Sequence, residues 1–383
     1  MRKLLHFIAN NAVPIIFIIF SALAIPLSGL TLTYLVDELL IRISRNSFLI
    51  LSLLIPIMAG MGLNFGMVLG AMAGQIGLIF VLDWSIVGVQ GIVLAMIIGT
   101  PIAVALGLIC GNILNRAKGQ EMVTSYIVGF FTNGVYQLFV LYFWGWLIPI
   151  TNLNYVLSRG YGIRNTIDLD MGGIRGVLDS LIPFRIESIG TGAFSLRNVD
   201  VPIGTFLVIA AFCFFVVWFR RTKLGQDMRA IGQDMAVADS AGIPVNRTRV
   251  IAIVISTVLA CFGQVIYLQS MGMGTLMTYN SHDNVGLYSI AALLIGGANV
   301  SRAGIANVLL GVTLFHLMFI VAPMAGKNLV GKALIGEYFR VFVAYGIIAV
   351  ALVLHAWKRR NERMKARRNL IALGRAAKAK GAK

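Results

Sequence analysis

The sequence predicts an all-α polytopic membrane protein with about ten transmembrane helices, some of them broken or re-entrant. Composition is the first reason. Of 383 residues, 58 % are hydrophobic and 12 % charged, with a mean hydropathy of +0.86, whereas a soluble domain carries about 25 % charge. Second, several apolar runs reach the roughly 20 residues that cross a bilayer core. Third, these runs are continuously apolar rather than alternating, which disfavours a transmembrane β-barrel.

In chain order the runs place spans near 12–35, 48–66, 67–82, 87–114, 123–148, 203–219, 250–271, 285–298, 303–322 and 336–357. The start, MRKLLHFIANNAVPIIFIIF, is charged and then apolar. No small-residue cleavage site follows it cleanly, so it reads as an uncleaved first span. The 48–82 stretch fits two spans or one long, broken helix. The 285–298 run is short and ends at Gly296-Gly297.

Ten spans return both termini to one side, and charge names that side. Segments placed inside hold 22 of the 32 basic residues and five of the 15 acidic ones, while the outer segments balance. That satisfies the positive-inside rule with both termini cytoplasmic. The basic tail 358–383 lacks interleaved aromatics and follows a span directly. It reads as a topology anchor beside anionic lipid, not as a nucleic-acid arm. Cys110, Cys213 and Cys261 each sit in an apolar run and read as buried small hydrophobes.

Several chemistries are missing. Neither Gly326-Lys327 nor Gly331-Lys332 has the upstream glycine of a phosphate-binding loop, and the HExxH, CxxC and GxSxG patterns are absent. No catalytic residue, metal site or cofactor is therefore expected. His6, His282, His316 and His355 are scattered; only His316 lies mid-span, in a pore-facing or core hydrogen-bonding role. In this layout every Asp and Glu falls in a loop or at a span end. An ion-coupled carrier would keep an acid in mid-span, so the energy for any pumping has to come from elsewhere.

Three stretches carry more information. Gly62, Gly66, Gly70 and Gly74 recur every four residues, a strip on which another helix backbone can approach closely. With Asn64 and Gln75 beside it, this region also suits a broken helix whose freed groups line a cavity. After the basic turn at 112–120 the chain re-enters with Thr124, Asn133 and Gln137 expected near one face. Uncharged amides and hydroxyls there suit a neutral hydrogen-bonding solute, or equally plain interhelical bonding. Third, the polar loop 220–249 holds small residues at Ala230, Gly232, Ala236, Ala238 and Ala241. Gly242 and Pro244 end its short helix. Such a low-relief helix suits docking into a partner's cleft.

IGQDMAVADSAGIPVNRTRV resembles the conserved loop of ABC-importer permeases for simple sugars, nucleosides and branched-chain amino acids. Gly232, Ala236, Gly242, Ile243 and Val245 match its G-x-N-x-x-A-A-x-x-x-G-I-x-V pattern, with Asp234 in place of the usual Asn. STVLACFGQVIYL is similar to the following span start through Ser256, Leu259, Ala260 and Gly263. GQEMVTSYIVG resembles the family's N-E-V-x-x-T re-entry through Glu121, Val123 and Thr124. The late glycine signature is matched by Gly296, Gly297 and Gly304, and Asn64-Phe65-Gly66 is similar to an N-I-G step. The likeness covers about 48–148 and 205–322.

The resemblance implies a single permease domain over 1–383 in a bacterial cytoplasmic membrane. It implies a cytoplasmic ABC ATPase, a second permease subunit and an external solute-binding lipoprotein as partners. Arg229, Gly232, Asp234, Ala236, Ala238, Gly242 and Ile243 would meet the ATPase. Asn64, Phe65, Gln75, Thr124, Asn133 and Gln137 would line the solute pathway. The outer segment 149–202 is not explained by the resemblance, and is expected either to pack over the outer mouth or to meet a delivery protein. The alternative reading is a self-contained carrier or channel.

Overall fold

In the computed structural model the chain is described over residues 12–190, 196–299, 302–332, 334–338 and a few positions up to 349. Among these residues the fold is almost entirely helical. The predicted tail, most of the 336–357 span, and Arg2, Lys3, His6 and His355 lie outside them.

The first helix, α1 (Ala12–Ser28), stops where Gly29 takes a φ of +65°, a conformation glycine adopts freely. Thr31 then caps α2 (Leu32–Ser52), accepting from the Tyr34 amide. After one non-helical residue, α3 (Leu54–Met58) continues the same line. This corrects the expected layout: 36–47 is helix rather than loop, and the first span is shorter. The charges there were misleading because protein partners meet them: Asp37 accepts the Asp200 amide and Arg45 donates to the Gly272 carbonyl. Glu38 pairs with Arg42 one turn on at 2.7 Å, and Asn46 and Ser47 bond back to the carbonyls of Arg42 and Ile43.

Residues 59–66 leave helical geometry while staying buried from Met61 to Gly66, with Gly60 and Gly62 both at φ +71°. The helix α4 (Met67–Asp83) follows. The four-residue glycine strip is therefore divided: Gly62 and Gly66 belong to the break, Gly70 and Gly74 to the helix. Next come α5 (Gly88–Arg116), α6 (Glu121–Leu138, extended by a π-helical stretch to Phe143), α7 (Ile203–Phe219), α8 (Lys223–Gln233), α9 (Met235–Ser240), α10 (Val245–Gln269), α11 (Ser281–Ile295) and α12 (Ile305–Val330). Five of the described helices are long and apolar enough to cross a membrane, six if α7 and α8, bent by 74°, count as one; α1 and α4 are shorter.

The helix at the centre of the bundle is α4. It has no polar face, and all its residues but Phe80 are buried, as a helix that is apolar all round must be. Its glycines let neighbours touch. A Cβ on Gly70 would overlap the Thr257 carbonyl of α10, and one on Gly74 would sit 2.5 Å from the Cys261 carbonyl. A Cβ on Gly77 would overlap the Ala95 carbonyl of α5. From α5, Gly99 and Gly107 return the approach toward α4 and α10. In contrast α5, α6 and α7 turn large apolar side chains outward: Ile97, Phe131 and Phe214 are 61 %, 73 % and 73 % exposed. An apolar exterior around a packed centre is the signature of a lipid-facing bundle.

The described part of the segment 149–202 is folded down rather than free. Asp83 accepts the Thr151 and Asn152 amides, each at 2.9 Å. Asp179 accepts from Thr205 and from the Met271 amide, and Gln269 accepts the Leu178 amide at 2.9 Å. Strand β1 (Thr166–Asp168) pairs antiparallel with β4 (Thr275–Met277), and β2 (Arg185–Ile189) with β3 (Leu196–Asp200). Arg185 donates to both Asp200 oxygens, at 2.6 and 2.9 Å, and holds that carboxyl below the usual range. Of the apolar residues in the segment, Leu178 is buried, while Leu181, Ile182 and Phe184 remain exposed.

One substitution tests the central packing. Gly70→Val should cost at least the upper part of the about 1–3 kcal/mol typical of overpacking, since the obstacle is backbone. A lowered melting temperature and folded yield in detergent check it; unchanged melting would mean that α4 and α10 do not meet there.

Candidate functional site

Two regions gather the predicted site residues. The first is the elbow formed by α8, α9 and the start of α10. Thr222 caps α8, accepting from the Gly225 amide at 3.2 Å, and Asp234 caps α9, accepting from the amides of Ala236 at 2.8 Å and Val237 at 3.2 Å. An N-cap needs an oxygen acceptor, which Asp supplies as well as the Asn of the resembling loop. Gly242, at φ +81°, ends the turn.

The elbow has an inner and an outer face. Ile231, Ala238 and Val245 form a small core of their own, with Ala230, Met235 and Ile243 packed on it. Gly232 lies against the backbone of Met58 and Gly60, where any Cβ would overlap the Met58 carbonyl. Gly232, Ala238 and Ile243 thus hold the elbow to the bundle. Arg229, Asp234, Ala236 and Gly242 are exposed, and so is Val237, at 66 %. Val237 was missed in the sequence because its neighbours, not its own type, carry the pattern.

The second region is a small cleft of about 70 Å³ lined by Phe65, Val68, Tyr126, Gly129, Phe130, Asp283 and Leu287. The helix break supplies Phe65, whose amide donates to Ser125 Oγ of α6 at 3.1 Å and whose ring meets Tyr126 edge-on. Behind the cleft runs a polar chain joining three helices. Asn133 Nδ2 of α6 donates to Asp283 Oδ2 of α11 at 2.8 Å. Asn133 Oδ1 lies 3.0 Å from His282 Nε2, and His282 Nδ1 lies 2.7 Å from the Gln75 side-chain oxygen on α4. A neutral imidazole has a single N–H. Donating from Nε2 to Asn133, it accepts at Nδ1 once the Gln75 amide is turned, which gives the otherwise unpartnered Gln75 Nε2 a bond.

Gln75 and Asn133 thus meet through His282, Gln137 joins by a 3.4 Å bond to Asn133, and Phe65 lies in the cleft in front of them. Thr124 does not. Nine residues from Asn133 is two and a half helical turns, so it sits on the opposite side of α6; the buried face is Ser125, Gly129, Asn133 and Tyr136. Asn64 is buried, but its Oδ1 accepts the Gly66 amide inside the break, beside Cys110, and it does not line the cleft. His316 is buried in α12 against Phe315 and Phe319, away from this chain of bonds.

His282 and Asp283 were overlooked. The sequence layout counted Asp283 as a loop acid, yet it begins a helix at the depth of Gln75 and Asn133, both in mid-helix. The signal was present: a Ser-His-Asp-Asn start on an apolar run too short to span. A helix that short begins inside the bundle.

This geometry can be set beside known proteins. The family described as branched-chain amino acid transport system / permease component matches residues 20–352. The chain belongs to that family. It is 26 % identical over 158 residues to the nucleoside ABC transporter permease protein NupB of Lactococcus lactis subsp. cremoris, covering 40 % of each chain. The probable ABC transporter permease protein YphD of Escherichia coli is 29 % identical over 157 residues, 40 % of this chain and 44 % of that one. The galactose/methyl galactoside import permease protein MglC of Haemophilus influenzae is 26 % identical over 204 residues, 52 % and 55 %. The matched stretches span about half the length of these relatives or less. No solved structure matches the chain. Family and helices together make this a multi-pass membrane permease.

Asn133 is the keystone of the polar chain. Asn133→Ala strips a partner from half-buried Asp283 and from fully buried His282, and stranding the latter costs about 1–3 kcal/mol. A lower detergent melting temperature than wild type is expected. Unchanged melting would show that the chain of bonds is not formed.

Proposed function

We propose that this permease is the membrane-spanning subunit of an ATP-binding-cassette importer, moving a small neutral polar solute by alternating access. One observation carries the reading: an elbow seated on the bundle at Gly60, with an exposed low-relief face, lies at one end of the same helices whose middle forms a cleft lined by aromatic rings and the Asp283 carboxylate. The relatives, a nucleoside and a galactoside permease among them, agree with it.

In this reading the exposed face of α9, with Arg229, Asp234, Ala236, Val237 and Gly242, docks in a cytoplasmic ATPase. Gly232, Ala238 and Ile243 transmit the load to the bundle. Both termini are cytoplasmic, as the charge distribution indicates, and 149–202 faces outward where an external solute-binding lipoprotein delivers cargo. The apolar outer face of α6 suits a second permease subunit, a copy or a paralogue. The whole of 1–383 acts as one permease domain.

The cleft suggests how solute is held. Asp283 has accepted one bond from Asn133 and keeps further acceptor capacity toward the opening, so it takes hydroxyl or amide donors. Phe65, Tyr126 and Phe130 offer apolar faces to a ring. A nucleoside, a simple sugar or a flavin-like vitamin combines both features. The His282–Asp283 pair inside the bundle also keeps a self-contained carrier in view, and uptake by the purified chain without ATP would favour it.

Ala236→Arg should abolish ATP-dependent uptake and co-purification of the ATPase, with normal membrane insertion; normal uptake would refute docking there. Asp283→Asn should lower uptake at least tenfold while the ATPase still co-purifies. Uptake at the wild-type level would remove Asp283 from the pathway.

A further inference from the structure

Where α8 and α9 join the bundle, one buried ion pair is used by neither the elbow nor the cleft. The Arg249 side chain, on the second turn of α10, is fully buried, and its Nη2 donates to Glu121 Oε1 at the start of α6. The second Glu121 oxygen accepts the Gly119 amide at 2.8 Å, closing the turn between α5 and α6. The other guanidinium branch reaches Met235 Sδ at 3.6 Å, at the first residue of α9. Beside it, Asn115 Nδ2 donates to the Asn246 carbonyl at 2.8 Å, a second tie between that turn and the start of α10.

Three parts therefore meet on one guanidinium: the elbow helix, the α10 start that packs with it, and the first turn of α6. What α6 carries from there is the cleft wall. Ser125, one turn on, holds the Phe65 amide, and Asn133 lies twelve residues from Glu121, about 18 Å along the helix. Arg is suited to this post because its planar fork serves several acceptors in fixed directions and stays charged when buried. Desolvating a full ion pair is costly and is weak evidence of a purely stabilising role, since apolar packing serves as well or better.

We propose that Arg249 and Glu121 are positioning residues that carry movement of the α9 elbow to α6, so that without their ion pair ATP turnover no longer reshapes the cleft. The proposal rests on the reading of 220–249 as the ATPase dock. It places in the chain a specific link between the nucleotide-driven end and the solute-holding middle.

The test uses the full chain assembled with its ATPase, with Cys110, Cys213 and Cys261 replaced by Ala and Leu287→Cys placed in the cleft lining. Its readout is the rate of labelling by a membrane-impermeant maleimide, without nucleotide and after trapping with ATP and vanadate. In the otherwise wild-type chain, trapping should change the rate at least fivefold. Glu121→Met with Arg249→Met removes both charges together and keeps apolar bulk; Glu121→Asp keeps the charge but shortens the reach. In the double variant ATP hydrolysis should persist while the labelling change falls below twofold, and in the Asp variant the change should be intermediate. A wild-type-sized change in both variants overturns the proposal. Loss of assembly in both would make the pair a brace for the dock, and overturns it too. No change even with the ion pair intact, or no co-purifying ATPase, would instead sink the dock reading beneath it.

Discussion

A backbone that leaves helical geometry inside a lipid-facing bundle must find partners for its amides within the protein, because each one left bare in hydrocarbon costs several kcal/mol. At 59–66 much of the structure answers that demand. The amides of Gly60 and Met61 close the last turn of α3 onto Ile57 and Pro56. Asn64 folds its side chain onto the Gly66 amide, and Ser125 reaches across from α6 for the amide of Phe65. Gly60 and Gly62 supply the positive φ values that let the chain reverse within a few residues. What results is a helix, α4, that starts inside the bundle and brings Phe65 and Val68 to the cleft, with Gln75 in the polar chain behind it.

The break also accounts for the elbow's seat. Gly60 and Gly232 come together backbone to backbone, with the Gly60 Cβ position only 2.9 Å from Gly232 Cα. The same eight-residue interruption thus contacts the polar loop at one end and helps form the cleft at the other. Side chains at either glycine would push the elbow away. A small-residue pattern that reads as docking surface in the sequence is in part the inner face of the elbow, and this divides the matched positions between holding and presenting.

Much of this was legible and some was not, for identifiable reasons. Membrane character, the broken helix near Asn64 and the compact helix at 235–240 follow from local pattern: continuous apolar runs, glycine spacing, and a cap followed by small residues. Gln75, Asn133 and Gln137 stood out because amides are rare in apolar runs. The failures came from depth, which one-dimensional hydropathy does not encode. Charged residues 37–45 read as a loop, though Glu38 and Arg42 neutralise each other on a helix. Asp283 read as a loop acid because the depth of a helix start depends on its neighbours, here α4 and α6. Thr124 failed on simple rotation: its spacing to Asn133 crosses the helix.

The two buried acids near the polar ends of the bundle do different work from Asp283. Asp83 accepts the amides of Thr151 and Asn152 from the outer segment, while Asp179, within that segment, accepts from Thr205 and Met271, so both tie the segment to the helices. Asp283 accepts one amide donor and turns its remaining capacity to an opening lined by aromatic rings. A carboxylate kept short of donors in low-dielectric surroundings gains more from a solute hydroxyl than a saturated one would. Selectivity in such a site comes from that unfilled demand: a solute without a donor at this point leaves the desolvated oxygen unpaired, while an anion meets direct repulsion. In the proposed role the apolar rings would then accept varied ring shapes, since the discriminating contact would sit on the one carboxylate positioned by Asn133.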